Sequence, residues 1–161
     1  MRTTFSFGIA LLLLSTACQK DDIVEAVTGE RPACGTDGAR VSATIDGSDW
    51  CADALVHAVM EDSSAMVSAV NLNSSSLSFS IDRTEVGTTP IVGDANGVIY
   101  LEGGVTYIVP EGVVGQLQIT TCNVTAGRLS GTLDVELHSV VGDQQRNVHI
   151  AFEVTASAEP G

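Results

Sequence analysis

Bases, aromatics and long apolar runs are all scarce in this chain. Seven Lys and Arg face twenty Asp and Glu, a formal charge of −13. So acidic a chain repels phosphate backbones, which argues against nucleic acid as a partner. Phe, Trp and Tyr together make up 4% of the residues. A core must therefore come from Val, Leu, Ile and Ala, and aromatic platforms for sugar rings are few. The N-terminal apolar run, Phe5 to Leu14, is too short to cross a bilayer core of about 30 Å as a helix. His57, His138 and His149 stand far from one another and from the cysteines in sequence, so no clustered set of zinc ligands is visible. No cofactor is expected, and no catalytic constellation stands out.

The N-terminus is informative instead. Arg2 supplies a positive start, Phe5 to Leu14 the apolar segment, and Ser15-Thr16-Ala17 the small residues that precede a signal-peptidase cut. Cys18 follows at once. This resembles the lipobox of bacterial lipoproteins, except that Ser15 occupies the place usually held by leucine, with Leu14 one position early. The resemblance implies acylation of Cys18 and an anchor of two or three chains, which holds where a single chain is marginal. Gln19-Lys20-Asp21-Asp22 resembles the lipoprotein export signal of Bacteroidetes. That implies an outer-membrane lipoprotein on the cell surface, with the periplasmic face as the alternative.

Removing residues 1–17 takes away one base, Arg2, and no acid, so the formal charge moves from −13 to −14. Scattered carboxylates of this kind keep a surface protein soluble. Residues 18–39 carry charge, Pro32 and glycines without periodicity, and read as a flexible tether. Residues 40–155 are long enough for one domain, and a mean hydropathy of +0.26 supports a real core. Residues 156–161 form a short tail. Three cysteines remain after lipidation in an oxidising compartment. The pairing expected is Cys51 with Cys122, each near a strand end, leaving Cys34 in the tether; spacing alone does not determine connectivity.

Alternation of apolar and polar residues recurs from Val41 onwards. Val41, Ala43 and Ile45 alternate with Ser42 and Thr44 before a turn at Asp46 to Asp49. Trp50 to Met60 reads as one strand apolar on both faces, which makes His57 a packed or hydrogen-bonded residue. Met66 to Leu72 follows, and then Leu77, Phe79 and Ile81 against a serine face. Thr84 to Ile91, with Gly87 and Pro90, suits an irregular or edge segment better than a central strand. Asp94 to Gly97 is a turn, and Gly103-Gly104 joins a hairpin. Gln116 to Thr121 alternates again, after which Cys122 to Gly127 makes a loop. Leu129 to His138 and Val148 to Val154 form the clearest pair, with His138 and His149 expected as neighbours on its wet face. With no sustained helical period, the pattern predicts an all-β antiparallel meander, barrel-like or sandwich.

Val41 to Ala52, VSATIDGSDWCA, resembles the opening motif of a large group of Bacteroidetes lipoproteins known as domain of unknown function 6252. Gln118-Ile119-Thr120-Thr121 and Arg128 to Leu133 resemble its ending, with Leu133 where that group more often has phenylalanine. The resemblance implies a compact antiparallel domain on a lipid tether and transfers no catalytic residue; Gly47, Trp50 and Gly131 fit its motifs as turn, core anchor and close strand approach. The expected role is a non-catalytic surface binding or accessory module, taking an apolar small molecule, a glycan or an envelope protein. The alternative is a structural display domain with no small ligand. A hydrolase would need a nucleophile and base among residues such as His57, His138 and His149.

Overall fold

The computed structural model of the chain describes residues 34–36, 39–61, 63–92, 97–112 and 114–156. Cys18, the segment Gln19, Lys20, Asp21 and Asp22, the expected turn at Asp94 to Asn96 and the tail beyond Ala156 lie outside the described residues. Among those described, the chain forms twelve antiparallel strands and no helix.

The strands are β1 (Gly35–Thr36), β2 (Ala39–Ile45), β3 (Ser48–Cys51), β4 (Leu55–Met60), β5 (Ala65–Val70) and β6 (Ser76–Ile81). They continue as β7 (Gly87–Val92), β8 (Val98–Glu102), β9 (Val105–Ile108), β10 (Val114–Asn123), β11 (Arg128–Ser139) and β12 (Gln145–Thr155). One sheet runs in the order β1-β2-β12-β11-β9-β8-β6-β5-β4, with β3 on β2, β10 on β11 and β7 outside β10. The branch point is β11. Its first half, Arg128 to Asp134, pairs with β10, whereas His138 and Ser139 pair with β9. The sheet curls until β4 lies against β1 and β2, where the Ala52 N–H donates to the Val41 carbonyl. This is the expected all-β, antiparallel, barrel-like architecture.

Alternation explains the interior, because successive side chains on a strand point to opposite faces. Leu129, Gly131, Leu133, Val135 and Leu137 of β11 point inward, and Val148, Ile150, Phe152 and Val154 of β12 meet them, as the sequence pattern predicted. Leu77, Phe79 and Ile81 come from the opposite wall. The Phe79 and Phe152 rings stand 5.1 Å apart, so side chains from the two branches fill the centre. Each such residue contributes about 1.5–3 kcal/mol by leaving water. Gly131 has a packing reason: a Cβ there would collide with the Gln118 carbonyl and stand 2.9 Å from Phe152 Cζ.

Three expectations are corrected. Trp50 to Met60 is two strands, broken at Ala52 to Ala54 where the chain leaves β2 for β5. Only one face of β4 turns inward, so Leu55 and His57 are exposed rather than packed. The register of β10 shifts between Ile119 and Thr121, leaving Thr120 as a bulge whose hydroxyl donates to the Ser130 carbonyl. A bulge inserts one residue and inverts the phase beyond it. Strand β10 therefore continues to Asn123 instead of ending in a loop at Cys122, and Cys122 packs against the core. Pro90 lies on β7, which among the described residues pairs only with β10, an edge position, one of the two expected.

The two branches share an interior but differ outside. On β4, β5, β6, β8 and β9 the outward positions are Ser, Thr, His or apolar. The row His57, Ser68, Ser78, Ile99, Ile108 crosses all five strands in register. On β2, β12 and β11 the outward positions include Arg40, Glu153, His149, Asp134 and Glu136.

Candidate functional site

Charged groups converge at the rim where three chain segments meet. Asp46 and Gly47 join β2 to β3 with φ of 50° and 81°, the left-handed pair that a tight hairpin needs. The turn is fastened to β12: Asp46 Oδ1 accepts the Asn147 N–H at 2.9 Å, and the Asp46 N–H donates to the Asn147 carbonyl at 2.9 Å. Gly103 and Gly104, with φ of 57° and 81°, make the corresponding turn from β8 to β9 and set Glu102 beside it. Arg146, at the start of β12, lies between the two turns.

The Arg146 guanidinium donates from Nη1 to Asp46 Oδ2 at 3.2 Å, approaches Glu102 Oε2 at 3.7 Å from Nη2, and lies 4.9 Å from the centre of the Tyr107 ring. The Tyr107 hydroxyl donates to Gln144 Oε1 at 2.6 Å. Each exposed ion pair contributes at most about 1 kcal/mol. Stacking on the ring and two carboxylates on opposite sides nevertheless fix where the planar guanidinium stands.

Beneath Arg146 is a cleft of about 310 Å³, with Trp50 and Tyr100 among its lining and Asp46, Asp49, Glu102 and Arg146 at its mouth. Trp50 is held from below. Its Nε1–H donates to Ser75 Oγ at 2.7 Å, and the Ser75 hydroxyl donates to Asn71 Oδ1 at 3.0 Å. Asn71 Oδ1 also accepts the N–H groups of Asn73 and Ser75, so the polar chain under the indole ends in a tight turn. Burial pushes the Tyr100 hydroxyl up to about 12, helped by the negative charge of Glu102. With three carboxylates and one guanidinium the mouth is electronegative, suited to a ligand rich in hydrogen-bond donors.

A second polar cluster lies on the outer face of β11 and β12. His149 Nδ1 stands 2.5 Å from Asp134 Oδ1, and His138 Nε2 stands 2.8 Å from Glu136 Oε1. The two histidines are not neighbours. The register opposes His149 to Asp134 and His138 to Gln145, so each ring has its own carboxylate. Among the described residues, no group of three or more His, Cys, Asp and Glu is placed to hold a metal ion. His57 is remote from both, on β4.

The expected Cys51–Cys122 bridge is not the one formed. Cys34 is bonded to Cys51, with Cα atoms 4.9 Å apart, and Cys122 is free. Register is the cause. Cys51 lies opposite Ser42 on β2, and the Cys34 carbonyl accepts the N–H of Val41, so both flank the same strand. Cys122, opposite Leu129, is separated from that strand by β11 and β12. The bridge also places the last residues of the expected tether inside the domain.

Sequence reasoning named Gly47 and Trp50 but missed Arg146, Asp46, Glu102 and Tyr107 as a group. The available signal was the pair of glycine-bearing turns, which bring strand ends to one rim. Comparison of the chain with protein-family models, with curated proteins and with solved structures finds no match.

Proposed function

We propose that this chain is a lipid-anchored cell-envelope protein whose β domain is a non-catalytic binding module, engaging its partner at the rim cleft around Arg146. The lipobox-like segment ending at Cys18 and the Gln19-Lys20-Asp21-Asp22 segment support placement on the outer membrane, and the opening motif at Val41 to Ala52 supports kinship with the Bacteroidetes group named above. The observation that carries the binding role is the fixed Arg146, held by Asp46, Glu102 and Tyr107 over a cleft lined by Trp50 and Tyr100. Functional clefts typically combine such apolar walls with a few placed polar groups. A glycan or a donor-rich segment of an envelope protein fits an electronegative rim better than an apolar molecule does, because the described centre is occupied by Phe79, Phe152 and their neighbours.

Native mass spectrometry of residues 19–161, purified gently from the producing cell envelope, tests this. A reproducible added mass that denaturation releases, and that is absent from Arg146→Ala, is the expected result. Bare polypeptide in both, with no binding to envelope glycans or proteins, would favour the second reading. That reading is a display domain without a small ligand, to which the filled interior is equally suited.

A further inference from the structure

We propose that the outer face of the β4-β5-β6-β8-β9 branch docks on the lipid surface to which the chain is tethered, an inference that rests on the assignment of Cys18 as the lipid-bearing residue. Charge is the first observation. In a chain with twenty acids, the outward positions of these five strands carry no Asp, Glu, Lys or Arg; charged residues begin only at the strand ends, with Asp53, Glu61, Asp82 and Glu102, the last at the rim beside Arg146. Approach by the outer face of β2, β12 and β11 would instead bring carboxylates such as Glu153, Asp134 and Glu136 against lipid headgroups, at a desolvation and Coulomb cost.

Exposed apolar surface is the second. Met66, Ile99 and Ile108 are 56%, 48% and 40% exposed on this face, and Ile99 and Ile108 lie directly opposite each other on β8 and β9. Membrane binding grows with the apolar area inserted at the headgroup level. The third is where the tether arrives. The chain enters the domain at Cys34, which is bonded to Cys51, and β1 lies beside β4, the border strand of this face. The fifteen residues between Cys18 and Cys34 reach at most about 50 Å when fully extended, so the face is within the range of the anchor.

A second copy is the competing occupant, and the geometry disfavours it. The outside of a curled sheet is convex, so two such faces touch along a strip, and two chains of formal charge −14 repel each other. A bilayer surface deforms around a convex face.

Met66 is a built-in reporter, because methionine oxidation follows exposure. The full chain is produced in a lipoprotein-processing bacterium, reconstituted in phosphatidylcholine vesicles, and exposed to peroxide beside residues 19–161 in solution, with peptide mass spectrometry as readout. The expected result is oxidation of Met66 slowed about fivefold on vesicles, with the inward-facing Met60 unchanged, since lipid contact excludes water from the outer face alone. Equal Met66 rates on a chain that floats with the vesicles would overturn the docking while sparing the anchor. A full chain that does not float overturns both. Met66 protection that is already present in the unacylated chain and grows with its concentration would assign the face to a second copy instead.

Discussion

The outer faces of the two branches are built on the same interior and have little else in common. Outside β11 and β12, Asp134 faces His149 and Glu136 sits beside His138, and charge extends onto β2 with Arg40. Outside β5, β6 and β8 the equivalent positions are Met66, Ser68, Ser78 and Ile99. Both faces cover inward residues that are almost fully buried, such as Leu133 and Ile150 beneath the first and Leu77 and Phe79 beneath the second. The fold therefore needs no charge on either face, and the docking proposed above would account for its segregation.

The largest expected effect tests whether the branches truly share one core. Phe79→Ala and Phe152→Ala should each cost about 3–5 kcal/mol in denaturant unfolding. The double variant should cost less than the sum, because the two rings are in contact and remove the same packing. Additive costs, or two separate unfolding transitions, would break the picture of a single interior.

Next comes the clamp at the tether entry. Cys51→Ala should cost about 3 kcal/mol, the loop-closure contribution for a bridge between cysteines 17 residues apart, whereas Cys122→Ala should cost under about 1.5 kcal/mol. Thermal unfolding with and without reductant measures both. A larger loss for Cys122→Ala under oxidising conditions would restore the pairing first expected from the sequence.

The rim has a pH signature. Tyr100, raised to about 12 from an ordinary value near 10, keeps its proton in the folded chain over a range where the unfolded chain loses it. Its contribution to stability is complete below pH 10 and is lost as pH rises towards 12. A phenolate absorbance titration should find one of the two tyrosines ionising near 12, with falling unfolding midpoints over the same interval. Glu102→Gln should bring that ionisation closer to 10, because the neighbouring negative charge is removed.

The smallest effect on stability carries the sharpest contrast between the faces. Ser78→Asp and Thr132→Asp, both at outward positions, should each change unfolding by no more than about 0.5 kcal/mol. Only Ser78→Asp should restore peroxide access to Met66 on vesicles. Equal behaviour of the two variants would remove the distinction.

Much of the fold was legible because alternation is a local property. Leu129 to His138 and Val148 to Val154 announced their inward faces, Gly103-Gly104 its hairpin, and Pro90 its edge. What failed was set by contacts distant in sequence. Nothing within Trp50 to Met60 marks a break, because no glycine or proline interrupts it; the crossing from β2 to β5 does. The bulge at Thr120 depends on its partners across β11, and it alone turns Cys122 inward. The Cys34–Cys51 bridge follows from two segments flanking β2, which spacing does not encode. Arg146 was invisible as a site residue for the same reason: Asp46, which receives it and the adjacent Asn147 N–H, stands about a hundred residues earlier in the chain.

The central claim, a binding domain anchored by Cys18 at the cell surface, is tested most directly by metabolic labelling of intact producing cells with an alkyne palmitate, followed by protease shaving. The account predicts label on the wild-type chain, none on Cys18→Ser, and loss of the domain from the wild-type cell surface on shaving. Wild-type chain that carries no label, or labelled chain that is protected from protease until the outer membrane is opened, would contradict it.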